Sequence, residues 1–139
     1  MNDQTSREAE LLSLLELARQ AALNAYAPYS GFRVGAALRL TNGEIVTGGN
    51  VENVSYGLTI CAERSAVFQA IARAGGPPRI RAALVYTPTQ SPTAPCGACR
   101  QVFAEFILPE APVIFPAAEG LRTMTFQELL PVAFDMKLK

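Results

Sequence analysis

The chain has 139 residues, half of them apolar, and its 12 basic side chains balance 12 acidic ones. That length suits one domain able to bury a core without disulfides, and the even charge gives no electrostatic reason to expect a polyanionic partner such as nucleic acid. No targeting signal opens the chain, no apolar run approaches a membrane span, and three cysteines, which cannot all pair with one another, fit a reducing cytoplasm.

The first stretch is expected to be an amphipathic helix. Thr5 and Glu8 have capping-box spacing, Leu11, Leu15, Ala18, Ala22 and Ala25 keep a three-four rhythm, and the helix should end near Pro28. Val34, Ala36, Leu38 and Leu40 then alternate, Asn42-Gly43 offers a two-residue turn with positive φ, and Ile45 to Thr47 returns as a second strand. A loop from Gly48 to Ile60 leads to a helix from about Cys61 to Ala74, closed by Gly75-Gly76-Pro77-Pro78.

Arg81 to Thr87 reads as an apolar strand, after which a loop of Thr and Pro carries the chain to Cys96. The next helix turns Val102, Phe103, Phe106 and Ile107 inward, and Pro109 and Pro112 bracket its exit into a strand at Val113 to Phe115, the succession of a parallel crossover unit. A strand around Leu121 to Met124 follows. Thr125 and Glu128 then repeat the capping-box spacing ahead of a short helix that Pro131 stops. The sum is an α/β fold, a three-layer α/β/α sandwich around a mixed sheet of about five strands, whose ligands should gather where strands end and helix N-termini begin.

The chain's only thiols, Cys61, Cys96 and Cys99, are its candidate zinc ligands. A hydrolytic zinc takes three protein ligands and keeps a fourth position for water, whereas a structural zinc normally takes four protein ligands, and this chain has neither a fourth Cys nor any His. With no His, the proton carrier must be a carboxylate, and Glu63 is the nearest to a thiol; a three-cysteine zinc with a non-ligating Glu and a Pro-Cys-x-x-Cys is the established signature of zinc deaminases. The spacing of Cys96 and Cys99 puts both sulfurs on one face of a first helical turn. Cys61 and Glu63, two apart, would diverge on a regular helix, so Cys61 should sit at the cap. Three thiolates leave a divalent ion with a net charge of about minus one, which two helix N-termini of about half a positive charge each would offset. Arg64 and Arg100 could add hydrogen bonds to sulfur. The reaction expected is hydrolytic deamination of a ring bearing an exocyclic amine, with Glu63 moving the protons.

Taken together, Ala27-Pro28-Tyr29-Ser30, the run from Phe32 to Leu38, the run from Asn50 to Tyr56, the run from Cys61 to Ser65, the run from Pro95 to Gln101 and the run from Leu129 to Phe134 make a chain that resembles the small, homotetrameric type of cytidine deaminase over nearly its whole length. The resemblance implies one catalytic domain over residues 1–139 with one zinc per subunit, acting on cytidine and 2′-deoxycytidine in pyrimidine salvage. It implies that Asn50 and Glu52 hold the ribose, chiefly its 3′-hydroxyl, that Phe32 packs on the pyrimidine, and that Glu63 and the Ala62 N–H face the base. It further implies that Tyr56 and Phe134 enter a neighbour's site and that Arg64 donates to a zinc thiolate. Two positions depart from the pattern: Arg33 stands where many relatives have Pro, and Ala94 where Ser is frequent. The competing readings are a deaminase of the same fold acting on a cytosine nucleoside antibiotic of the blasticidin S type, which the intact Asn50-Val51-Glu52-Asn53 run opposes, and a non-catalytic, zinc-stabilised nucleoside-binding module.

Overall fold

The computed structural model describes residues 3–89 and 91–136. Helix α1 (Asp3–Leu23) leads into a hairpin of β1 (Gly35–Leu40) and β2 (Ile45–Gly49), followed by one 3-10 turn at Tyr56–Leu58 and helix α2 (Ala62–Ala74). Then come β3 (Ile80–Tyr86), α3 (Gly97–Ala104), β4 (Pro112–Ala117), β5 (Gly120–Thr125) and α4 (Phe126–Leu129). The five strands lie in the order β2-β1-β3-β4-β5. β3 and β4 run parallel with α3 as their crossover, and every other neighbouring pair is antiparallel.

Strand β3 shows why the sheet needs helices on both faces. Successive side chains of a strand point to opposite sides, so a run that is apolar throughout must be covered twice. Ala82 and Leu84 pack with Leu14 and Ala18 of α1, whereas Ala83 and Val85 join Ala66, Val67 and Phe103 on the side of α2 and α3. Phe126 and Leu129 of α4 close the same second face, so the expected α/β/α sandwich is the one observed.

Local signals succeeded where the backbone around them cooperated. At Thr125, whose extended backbone (φ −72°, ψ 154°) makes it a true cap, the capping box forms: its hydroxyl accepts the Glu128 N–H, and its own N–H donates to Glu128 Oε1 at 2.8 Å. The same spacing at Thr5 does not start α1, because that helix already runs from Asp3. Nor does α1 reach Pro28. It stops at Leu23, where Asn24 and Ala25 tighten the last turn, and Tyr26 is drawn away by an N–H bond of 2.9 Å to the Asn50 carbonyl.

The hairpin loop differs too. Leu40 and Glu44 still pair, leaving Thr41, Asn42 and Gly43 as a three-residue connection in which Gly43 alone has positive φ (94°). The Gly43 N–H closes a β-turn onto the Leu40 carbonyl at 2.9 Å, so the loop is a three-residue connection ending in a positive-φ glycine rather than a two-residue turn. Strands β4 and β5 each extend beyond their expected ends, since their ladder runs unbroken from Pro112↔Thr125 to Ala117↔Gly120.

Gly48 of β2 fixes how closely α2 can lie on the sheet. A methyl group there would sit 2.4 Å from the backbone nitrogen of Ala66. Since neither backbone can yield without moving the other, Gly48→Ala is expected to destabilise the chain by about 1–3 kcal/mol, read as a lowered denaturant midpoint.

Candidate metal centre

Two loops deliver the cysteines. Val51 and Ile60 exchange backbone hydrogen bonds of 2.9 Å each way, which pins the end of the long loop and sets Cys61 at the mouth of α2. The parallel β3–α3–β4 crossover brings Cys96 to the mouth of α3. Both are N-cap residues with extended backbones, Cys61 at φ −69°, ψ 155° and Cys96 at φ −68°, ψ 167°, so the conflict between Cys61 and Glu63 is resolved as expected. Cys99 lies buried in the first turn of α3.

The sulfurs of Cys61 and Cys96 are 3.8 Å apart, those of Cys96 and Cys99 3.4 Å, and all three lie within 4.8 Å of one another. Tetrahedral zinc with bonds of about 2.3 Å would hold its sulfurs about 3.8 Å apart, so the donor set fits the ion in both chemistry and spacing. The chain supplies no fourth cysteine and no histidine, so neither can fill the last corner.

Charge is organised around the sulfurs before any cation arrives. A hydrogen bond from the Cys99 thiol, and behind it one from Arg64, pulls Cys61 down to about 5, while donating to Cys61, burial and the charge of Glu63 push Cys99 up. Arg64 Nη2 lies 3.4 Å from Cys61 Sγ, the contact expected of it. Its Nε is the one buried side-chain nitrogen or oxygen among the described residues that lacks a partner. Arg100 does something else. Its Nε donates to the Pro95 carbonyl at 2.8 Å and its Nη1 to the Leu129 carbonyl at 2.9 Å, so it ties the cysteine loop to the end of α4 and does not donate to sulfur. A carbonyl at fixed distance is a better partner for a planar guanidinium than a thiolate already served by Arg64 and Cys99.

Glu63, in the first turn of α2, is 5% exposed. Burial raises its carboxyl to about 7, with the charge on Cys61 adding to the effect and its own backbone N–H opposing it. Such a group can both take and release a proton near neutrality.

The residues expected to face a nucleoside form a connected frame. Asn50 is buried; its Oδ1 accepts the Val34 N–H at 2.9 Å and its Nδ2 donates to the Phe32 carbonyl at 2.8 Å. Glu52 Oε1 accepts the N–H groups of Tyr29 (2.9 Å) and Ser30 (3.1 Å), and its Oε2 accepts the Ser30 hydroxyl. Phe32 is half-buried against the core. Arg33, the departure from the family pattern, donates from Nη1 to the Leu23 carbonyl at 2.6 Å, satisfying the end of α1, while its own carbonyl takes the buried Thr87 hydroxyl at 2.9 Å. Ser30 belongs to the Ala27-Pro28-Tyr29-Ser30 motif, but its tie to Glu52 was not legible there, nor was the role of Thr87, because small hydroxyl residues in loops most often turn the chain locally.

Tyr56 and Phe134 are exposed. Tyr56 is 76% exposed and meets Tyr29 edge-on with ring centroids 6.2 Å apart. Phe134, 63% exposed, borders a cavity of about 490 Å³ with Arg79, Ile107, Phe126 and Leu130, whose lining includes none of the cysteines.

Residues 9–114 match the family of the cytidine and deoxycytidylate deaminase zinc-binding region. The chain is 46% identical over 122 residues to a cytidine deaminase of Halalkalibacterium halodurans, a match covering 87% of this chain and 91% of that protein. Among solved structures it is similar to the cytidine deaminase of Burkholderia pseudomallei, with 46% identity, a TM-score of 0.77, and 88% of this chain and 97% of that one covered. It is likewise similar to the Mycobacterium tuberculosis enzyme, with 42% identity, a TM-score of 0.77, and coverage of 91% and 98%.

Since the three sulfurs form one donor set with no other Cys or His to replace a missing member, Cys96→Ala is expected to abolish stoichiometric metal, measured as zinc per chain by elemental analysis after dialysis. One zinc per chain in that variant would rule out the three-sulfur site.

Proposed function

The chain belongs to the family of zinc-binding cytidine and deoxycytidylate deaminases, and on that premise we propose that it hydrolyses cytidine and 2′-deoxycytidine to the uridine nucleosides and ammonia, as one catalytic domain over residues 1–139. The observation that carries this reading is a buried carboxylate, Glu63, beside three convergent sulfurs that leave one tetrahedral corner free of Cys or His.

Cys61, Cys96 and Cys99 would hold the zinc. When bound, zinc supplies a Lewis acid that draws the pKa of water toward neutrality. Glu63 accepts a proton from the attacking water on a carboxylate oxygen and delivers it to the ring nitrogen; it then takes the remaining hydroxyl proton of the tetrahedral adduct and passes it to the amine, which leaves as ammonia while the carbonyl forms. One buried carboxyl poised near neutrality can serve each step in turn. The Ala62 N–H at the start of α2 is among the helix's unsatisfied donors and is free to bond the base. Phe32 offers its ring face for stacking, and Asn50 and Glu52 present what remains of their hydrogen-bonding capacity to the ribose. Arg64 holds Cys61 in its ligating orientation.

In this reading Tyr56 and Phe134 work on a neighbouring subunit's substrate. What supports it is their exposure, shared with Val54, Leu58 and Val132, which at 65–89% are large apolar groups left in water by a lone chain. A homotetramer would cover them and complete each site. The three unpaired thiols suit a cytoplasmic enzyme of pyrimidine salvage, and no helix among the described residues is long and apolar enough to cross a membrane.

Glu63→Gln should retain zinc and fold but lose turnover by about 10²–10⁴-fold, followed as ultraviolet change on incubation with cytidine and checked by ammonia release. Turnover within a factor of a few of wild type would remove Glu63 from its role. Native mass spectrometry should find four chains and four zinc ions in one assembly; a monomer at micromolar concentration would refute the shared site.

A further inference from the structure

Glu52 is already engaged before any ligand is present. A carboxylate offers about four lone-pair positions. On Glu52, Oε1 accepts two backbone N–H groups, from Tyr29 and Ser30, and is full. Oε2 accepts the Ser30 hydroxyl, which leaves one position on that oxygen. A ligand hydroxyl that donates to Glu52 must therefore use the oxygen that Ser30 holds.

The Ser30 hydroxyl has a second engagement. Its oxygen accepts the Phe32 N–H at 2.9 Å, across a turn in which Gly31 takes positive φ (72°). One oxygen thus joins the carboxylate to the residue whose ring would meet the base. The hydrogen bonds from Ser30 and Tyr29 also hold the Glu52 carboxyl below its usual range, so it stays an acceptor at neutral pH.

We propose that Ser30 is a positioning residue for the substrate: its hydroxyl aims the one vacant acceptor position of Glu52 at a sugar hydroxyl and, through the Phe32 N–H, fixes the base-facing turn in register with it. The proposal rests on the nucleoside reading given above. Loss of this hydroxyl frees Glu52 Oε2 to rotate or to take water, and releases Phe32, without touching the sulfurs or Glu63. The consequence is weaker binding with little change in the chemical step, because Glu52 contacts the sugar, remote from the reacting carbon, and Phe32 offers the base only a stacking face and moves no proton.

The test compares steady-state kinetics of wild type, Ser30→Ala and Ser30→Thr on cytidine, 2′-deoxycytidine and 3′-deoxycytidine, with zinc content and melting temperature as controls. Ser30→Ala should raise KM for cytidine and 2′-deoxycytidine about tenfold, the order expected for one charge-assisted hydrogen bond, with kcat within about twofold. On 3′-deoxycytidine, which has no hydroxyl for Glu52 to receive, the penalty should shrink to what Phe32 alone contributes. Ser30→Thr, which keeps the hydroxyl, should restore most of the KM. If Ser30→Ala loses zinc or melts early, Ser30→Cys, which keeps the volume but donates weakly, carries the same comparison. An unchanged KM, an equal penalty on all three nucleosides, or Ser30→Thr behaving like Ser30→Ala would overturn the proposal. Absence of wild-type turnover on cytidine would instead overturn the functional reading, which the wild-type arm reports separately.

Discussion

Three sulfur atoms held within 4.8 Å of one another form an arrangement that a folded chain adopts only where positive charge answers it. Here the answer is structural. Cys61 and Cys96 are each the cap of a helix, so the unpaired N–H groups of α2 and α3 converge on the cluster, and Arg64 adds a guanidinium within 3.4 Å of Cys61. The rest of the fold can be read as the means of holding two helix mouths together. The parallel crossover from β3 to β4 carries α3, and β2 carries α2 closely enough that position 48 has no room for a side chain. Arg100 then fastens the Pro95 carbonyl to the end of α4, which makes the short C-terminal helix part of the support of the cysteine loop.

The same economy governs the segments that flank the β1–β2 hairpin. Asn50 bonds to both sides of Arg33, taking the Val34 N–H and the Phe32 carbonyl, while Glu52 gathers the amides of Tyr29 and Ser30. The two residues that the family resemblance assigned to the sugar are thus the ones that shape the turn carrying Phe32. A change at Asn50 or Glu52 therefore disturbs the backbone on which Phe32 stands. Arg33 does not disturb this frame, since its side chain reaches back to Leu23 and its carbonyl is held by Thr87.

How much of this the sequence disclosed depended on whether the deciding contacts were local. The apolar run of β3, the Gly75 stop of α2 and the capping box at Thr125 are set by neighbours a few residues away, and each was legible. The cysteine cluster was legible for another reason: so few residue types can bind zinc that composition alone narrowed the choice. What escaped was tertiary. Pro28 gave no warning that Asn50 would pull Tyr26 out of α1 five residues early, Thr5 offered a cap spacing that a longer helix absorbed, and nothing near Arg100 pointed to a carbonyl on α4. Ser30 was visible as part of a motif, but its tie to Glu52, 22 residues away, was not.

The proton-carrying group shows what such a site costs the fold. Burial raises the Glu63 carboxyl from 4.5 to about 7, which means the folded chain favours the protonated form more than the unfolded chain does. The sign follows directly. Below the unfolded value both states are protonated and no penalty arises; as pH rises from about 4.5 to about 7 the unfolded chain gains stability by ionising first, so folding weakens across that window. An exposed glutamate would avoid this loss and would also lie too low to return a proton to a leaving amine at neutral pH. A divalent cation on the neighbouring sulfurs acts against the penalty by favouring the ionised carboxylate, so metal binding and folding are coupled through Glu63 as well as through the ligands themselves. The site is thus least stable where it is most useful, and a cation on the three sulfurs would lessen that penalty.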